Sequence, residues 1–385
     1  MPDLASIHRH RSYWAGFFLA LGLVLPAYIN SSFLGTITEE KWIGLVYTFA
    51  SLLSILTLTL TPYWFKKYEQ RFIFVAIALT FTPLIVLTFV SNPIVIILLF
   101  IIYYAAGFML RYLVDLELET ASQNNQTGQI RGIFLTIINF AWLISPILAS
   151  FLITDDNYRP VYLIAALAIL PLIFLLRSNY QLTSQSNISP LNALKLLFNQ
   201  KKETDISRIL VVDFLLNFFY AVMVIYTPIY LHQHIGLNWS ELGLVFTIML
   251  LPFVLLDYPL GRLADLVTGE KELLIAGLII TGLATISLSL ITTNELALWA
   301  LVLFVSRIGA ASTEVMKETY LFKKVSTSNA DIISLARNLA PLSYIAAPIA
   351  VSIFLMVWPL QFIFIALGLI MLLGLIPALK LTDTL

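Results

Sequence analysis

Charge is scarce in this chain: of its 385 residues only 11% are charged and 59% are hydrophobic, whereas a soluble domain carries roughly 25% charged residues. A surface built from such a pool is not wetted by water, so the bilayer is the solvent. Cysteine is absent altogether, which excludes structural disulfides, thiolate metal sites and cysteine nucleophiles. Net charge is absent too, since 22 Lys and Arg balance 22 Asp and Glu, and nothing points to a nucleic acid or polyanion partner. No Walker loop, GxSxG elbow or zinc-protease helix occurs, which argues against an ATP-driven pump and the familiar hydrolases. Neither enzymatic activity nor a cofactor is expected. The four histidines, His8, His10, His232 and His234, have no third ligand at a ligand spacing, so no metal site is expected either. No cleavable leader is expected, because the first apolar stretch becomes the first span.

What the chain does have is apolar runs of about twenty residues, the length that crosses a bilayer as a helix. They fall at 13–34, 42–64, 72–91, 94–114, 130–153, 161–177, 209–231, 242–260, 273–292, 296–316, 331–355 and 360–379. Uniform rather than alternating apolarity excludes a β-barrel, so the expected fold is an all-α membrane protein of twelve transmembrane helices. Sixteen of the Lys and Arg residues sit in the termini and even-numbered connections, against Lys41 and Arg159 on the other side; Arg111, Arg307, Lys317 and Arg337 lie within spans or at their ends. Cations collect on the inner side, so both termini are predicted to be cytoplasmic, in a multi-pass protein of the cell membrane. Six of the seven tryptophans fall at span ends, where headgroups favour their rings, and Trp142 alone is expected to be buried within a span.

The longest connection, 178–208, is rich in Ser, Asn and Gln and divides six spans from six. The expected domains are therefore 1–177 and 209–385, joined by a cytoplasmic linker. Leu191, Leu194, Leu197 and Phe198 recur there at helical spacing beside Lys195, Lys201 and Lys202, which fits a short helix on the inner membrane surface or equally a disordered polar loop.

The two halves match each other at a fixed offset of 199 residues. The run Gly44-Leu45-Val46-Tyr47-Thr48 corresponds to Gly243-Leu244-Val245-Phe246-Thr247. Asp115 and Glu119 correspond to Glu314 and Glu318, and Asn139 to Asn338. Three matches in one register, each in the equivalent span, point to duplication of a six-helix unit and so to two pseudo-symmetric bundles. Paired bundles of this kind can rock about a midplane site and open it to either side in turn.

With these features the chain resembles the major facilitator superfamily over essentially its whole length. The local resemblance lies in Gly261-Arg262-Leu263-Ala264-Asp265 followed by Gly269-Glu270-Lys271. The family carries a Gly-x-x-x-Asp loop with a later Gly and basic residues after its second and often its eighth span. The resemblance implies that Gly261 allows close helix approach and that Asp265 and Lys271 help latch an inner gate. The equivalent first-half loop, Thr61-Pro62-Tyr63-Trp64-Phe65-Lys66-Lys67, keeps only the cations. A Gly/Pro pattern like that of the family's antiporters is worn down to Ala141, Ser145-Pro146 and Ala149-Ser150, and again to Ser343, Ala347-Pro348 and Ser352. Plain tight packing explains the same small residues.

A charge in hydrocarbon costs at least about 2.5 kcal/mol, so it faces a cavity or a partner. Arg307 lies close to the midplane, about 16 Å into the tenth span by helical rise. It reads as an anchor for an anionic group on a solute or as half of an ion pair, perhaps with Glu314. Asp213, Asn217 and Tyr220 share one face of the seventh span at i, i+4 and i+7, a polar stripe suited to line a cavity. Asn139, Asn338, Tyr103 and Tyr104 either join that lining or hydrogen-bond between helices. Asp213, Asp257 and Glu314 are the candidate proton carriers. Arg111, Asp115, Glu119, Glu318 and Arg337, nearer the inner edge as Glu314 also is, suit a gate.

The expected function is secondary transport of a small solute, first as proton-coupled efflux antiport and otherwise as uptake of a metabolite such as an organic anion or sugar. A sensor or assembly protein on the same fold is the rival from another class. The expected partners are the solute, protons and the lipid bilayer, and the expected state is a monomer.

Overall fold

The computed structural model describes residues 4–121, 127–176, 204–264, 269–324 and 330–382. Helix occupies each of the twelve predicted spans. The first comprises α1 (Leu4–Val24) and α2 (Asn30–Gly35), parted by a turn at Pro26. Then come α3 (Glu40–Tyr68), α4 (Gln70–Leu87), α5 (Pro93–Ala121), α6 (Thr127–Leu152), α7 (Arg159–Ile169) and α8 (Leu172–Leu175). The second half runs through α9 (Thr204–Ile229), α10 (Trp239–Leu255), α11 (Asp257–Leu263), α12 (Gly269–Leu288), α13 (Leu296–Lys324), α14 (Ala330–Phe354), α15 (Ile363–Leu373) and α16 (Leu375–Leu379). Among the described residues nine helices are long and apolar enough to cross a membrane, and shorter apolar helices at Arg159–Leu175 and Leu339–Phe354 fill two further predicted spans.

Burial is distributed as a bilayer demands. Large apolar side chains face outward, with Phe151 and Phe174 nearly four-fifths exposed, while Thr281, Ser306 and Thr313 are fully buried. Water would not tolerate so many exposed rings, whereas lipid makes that the favourable arrangement. Threonine and serine hydroxyls inside the helices donate to the carbonyl one turn back, as Thr281 does to Gly277 and Thr313 to Gly309. That bond satisfies their polarity where no water is at hand.

Two compact units emerge: Met1–Glu39 with Val46–Gln185, and Glu40–Leu45 with Ser186–Leu385. In the first, α1 packs against α5, α6 and α7, and α4 against α5 and α7. In the second, α9 packs on α14 and α13, α10 on α13, and α12 on both α13 and α15. Glycine sets the closest of these crossings. A Cβ at Gly277 would lie 2.8 Å from the Gly309 carbonyl, and one at Gly309 would lie 2.6 Å from the Gly277 carbonyl, so α12 and α13 touch backbone to backbone.

Several local expectations change. The helix of the seventh span begins at Thr204, so residues 204–208 are helical and not linker; the proposed surface helix at 191–198 lies outside the described residues. Trp239 and Trp299 are buried instead of seated among headgroups, and Trp299 Nε1 donates to the Thr293 carbonyl at 2.9 Å, a bond that holds the loop before α13. Trp142 is half-buried, edge-on to Tyr28.

Candidate functional site

The most polar seam of the second unit runs between α9 and α13. On α9 the predicted stripe of Asp213, Asn217 and Tyr220 turns toward α13, because residues four and three apart fall on one helix face. Asp213 pairs with Lys317 of α13, the two side chains only 9% and 13% exposed. Asn217 Nδ2 donates to Asp213 Oδ1 at 2.8 Å and also to the Asp213 carbonyl at 2.9 Å. Two turns further along, Tyr220 donates its hydroxyl to Glu314 Oε2 at 2.8 Å.

The helices run antiparallel here, so these contacts form two rungs of a ladder. Seven residues separate the rungs on α9, about 10 Å of rise, but only three separate them on α13, about 4.5 Å. The long lysine and tyrosine side chains span the mismatch. Below the ladder Arg307 is 2% exposed, with its guanidinium 4.8 Å from the centre of the Phe219 ring on α9. A cation over an aromatic face is stabilised without water. Arg307 therefore belongs to the α9–α13 seam and not to a lipid-facing surface, and the Glu314 carboxylate takes its described bond from Tyr220.

Lys317 is the member of this seam to which the sequence assigned no role. No spacing rule could supply it, since its partner lies 104 residues away. The first unit holds a second unforeseen centre. Buried Asn30, where the chain resumes its helix after the Pro26 turn, accepts from the hydroxyls of Tyr103 at 2.7 Å and Tyr162 at 2.9 Å through one side-chain oxygen. Tyr103 is thereby a structural hydrogen-bonding residue of the core. Its neighbour Tyr104 is half-buried, stacked on Phe100 and edge-on to Tyr47, and Asn139 on α6 is half-buried as well.

Several of the predicted gate residues fall among the described residues, in one unit or the other. Arg111 is exposed beside the Phe108 ring and Asp115 is exposed one turn on. Gly261 has space around it: an added Cβ would come no nearer than 3.9 Å to Val315 Cγ1, so close helix approach is not what requires glycine there. Lys271 is half-buried at the start of α12, where its neighbour Glu270, buried, makes the described ion pair with Lys323. Glu318 is exposed at the far end of α13. Asp265 lies outside the described residues, as do the side chains of Glu119, Asp257, Arg337 and Asn338.

A third polar cluster closes the other end of the second unit. Asp205 at the start of α9 accepts from Arg208 at 2.8 Å and from the Tyr320 hydroxyl at 3.1 Å, and the same hydroxyl contacts the Thr382 carbonyl at 2.8 Å. This staples the C-terminal residues to α9 and α13.

Charges buried and paired among membrane helices are the pattern expected where a solute or ion path crosses the bilayer. The family model of the Major Facilitator Superfamily matches residues 12–305 and 209–384, and the chain belongs to that family. It is accordingly a secondary transporter by class and not an enzyme. A mutant of the nucleoside transporter NupG, solved by crystallography, superposes with a TM-score of 0.74, covering 97% of this chain and 100% of that one at 13% identity; at that identity the likeness is one of fold. A search of curated proteins returns no sequence match.

Proposed function

We propose that this protein exports a small organic solute from the cell by proton-coupled antiport, with Asp213 as the proton carrier and the α9–α13 seam contributing to the solute site. One observation carries the reading: a single carboxylate within a membrane helix holds both an ammonium and an amide, Lys317 and Asn217. Acids and bases inside spans are rare and mark proton or substrate paths. Protonating Asp213 discharges its pair with Lys317, whereas a solute that engages the carboxylate excludes the proton. That competition is what couples the two fluxes in opposite directions, because each ligand shifts the conformational equilibrium only by its own differential binding. Tyr220, Glu314, Asn217 and Arg307 add hydrogen-bonding and charged groups to the same seam, and Tyr104, Asn139 and Asn338 are carried as lining residues of the other elements.

The scheme includes alternating access, two six-helix halves derived by duplication, and both termini in the cytoplasm of a plasma-membrane protein. The cation asymmetry of the connections and the 199-residue repeat support these points.

A second reading has its own support in Lys317. When Asp213 takes up a proton the ammonium becomes available to an organic anion, and the proton and the anion then travel together as uptake. Proteoliposomes carrying a trapped pH dye separate the two. For a panel of organic cations, anions and neutral solutes added outside, antiport alkalinises the lumen and symport acidifies it. Asp213→Asn abolishes the pH signal under either reading; it weakens counterflow where the solute engages the carboxylate and keeps it where the solute is held by Lys317. Proton movement surviving in Asp213→Asn removes Asp213 from the mechanism, and the absence of counterflow for the whole panel favours a sensor or assembly role.

A further inference from the structure

Cations collect at the end of the second unit where α9 begins and where α13 and α16 stop. Packing brings Arg208, Lys323, Lys324 and Lys380 there from distant parts of the sequence, and the C-terminal residues among them are pinned. Arg208 donates to the Lys380 carbonyl, the Tyr320 hydroxyl contacts the Thr382 carbonyl at 2.8 Å, and Lys324 Nζ donates to Thr382 Oγ1 at 3.3 Å. Leu381 is only 2% exposed, so it anchors the segment while the Lys380 side chain stands outside. Two of the four cations are matched, Arg208 by Asp205 and Lys323 by Glu270. Lys324 and Lys380 are exposed, and among the described residues neither has a carboxylate within ion-pair reach. Lys324 has a neutral hydroxyl and the face of the Tyr320 ring, 5.6 Å from its ammonium.

An apolar column rises from this cluster. Leu369, Leu373, Ile376 and Leu379, spaced by four, three and three residues, share one face of α15 and α16, and each is 52–59% exposed. The opposite face is committed to packing. There α15 and α16 lie on α12, and a Cβ at Gly368 would stand 2.5 Å from the Gly282 carbonyl, so the column looks outward. It ends at Leu379, the residue before Lys380. From Leu369 to Leu379 the helical rise is about 15 Å, half of the roughly 30 Å of hydrocarbon in a bilayer. An apolar face as tall as one leaflet, with fixed ammonium groups at its foot, matches the two ends of a phospholipid.

We propose that this surface of the second unit is a binding site for an anionic phospholipid, whose acyl chain lies along the α15–α16 column and whose phosphate is held by Lys324 and Lys380. The charge balance selects the headgroup. A zwitterionic lipid brings its own cation to a place that already has two unmatched ones, whereas an anionic lipid brings a phosphate that nothing else there neutralises. Long lysine side chains lie along apolar surface and lift their ammonium groups to the headgroup layer, so both can reach one phosphate plane. Each lysine near an anionic membrane surface strengthens binding about fivefold. A lipid seated here ties the end of α13 to the end of α16, the same elements that Tyr320 and Thr382 join. The site stands independently of the proposed role of Asp213, because it needs neither solute nor proton movement.

The cysteine-free chain allows a local test. The full-length protein bearing Ile376→Cys is labelled with bimane and reconstituted into phosphatidylcholine vesicles containing either brominated phosphatidylglycerol or, at equal mole fraction, brominated phosphatidylcholine. Quenching of the bimane gives the relative affinity of the two lipids at the column. Phosphatidylglycerol is expected to be favoured about five- to thirtyfold, the factor that one or two surface lysines supply. Lys324→Gln and Lys380→Gln together should reduce that preference to less than about twofold, and each alone should lower it about fivefold. Equal quenching by the two lipids, or a preference that survives the double variant, overturns the proposal. The unlabelled protein without substitutions gives a second readout in detergent: phosphatidylglycerol should raise its melting temperature more than phosphatidylcholine or inorganic phosphate does. Stabilisation by phosphate equal to that by phosphatidylglycerol would mark a bare anion site and refute the lipid.

Discussion

Lys317 and Asp213 illustrate how a buried charge is tolerated in this protein: each is the other's solvent. Removing one partner leaves an uncompensated charge inside a membrane helix, which costs far more than removing both. Lys317→Met is expected to destabilise the protein by about 2–3 kcal/mol, and Asp213→Asn combined with it to recover more than half of that loss. Thermal unfolding of the two single variants and the double variant in detergent measures the coupling. Asn30 poses a related case without charge. Its one oxygen satisfies two buried tyrosine hydroxyls, so Asn30→Ala orphans both and should cost about 2 kcal/mol, whereas Tyr103→Phe removes donor and demand together and should cost about 1 kcal/mol or less. A larger loss in Tyr103→Phe than in Asn30→Ala would contradict that assignment.

Among the helices, the glycines separate into those that a neighbour requires and those that it does not. Gly277 and Gly309 lie where α12 and α13 meet backbone to backbone. Gly309→Val would force the two apart and is expected to lower the melting temperature sharply or abolish folding, because backbone cannot yield as a flexible side chain can. Gly261→Ala, by contrast, meets only ordinary contact with Val315 and should be neutral in the same assay, with any effect on transport tracing to the loop and not to packing. At the head of α10 the reciprocal bonds of Asn238 and Glu241 satisfy two otherwise open amides. Asn238→Ala should cost about 1 kcal/mol.

For the molecule as a whole, orientation in the membrane is the proposal most directly open to test. With no native thiols to mask, Thr293→Cys in the exposed loop before α13 and Lys67→Cys at the exposed end of α3 report on opposite faces. In intact cells an impermeant maleimide is expected to label Thr293→Cys and to spare Lys67→Cys until the membrane is opened. The reverse pattern would invert the topology drawn from the cation count. Both sites join long helices, so the result fixes the sense of all the spans between them.

Composition and the spacing of apolar runs determine by themselves that this chain lives in a bilayer as helices, because lipid forbids any unpaired backbone and leaves few architectures. The repeat was legible in the same way: Gly44 and Gly243 are each the fifth residue of their helices, α3 from Glu40 and α10 from Trp239. The i, i+4, i+7 stripe of Asp213, Asn217 and Tyr220 could be read from helical periodicity. Its partners could not, because Lys317 and Glu314 reach it across about a hundred residues of chain, and only packing brings α13 alongside α9. Tertiary structure likewise decided that Gly277 and Gly309, and not Gly261, sit in a close crossing. Periodicity tells which face of a helix is polar, but which neighbour that face meets depends on how helices far apart in sequence pack.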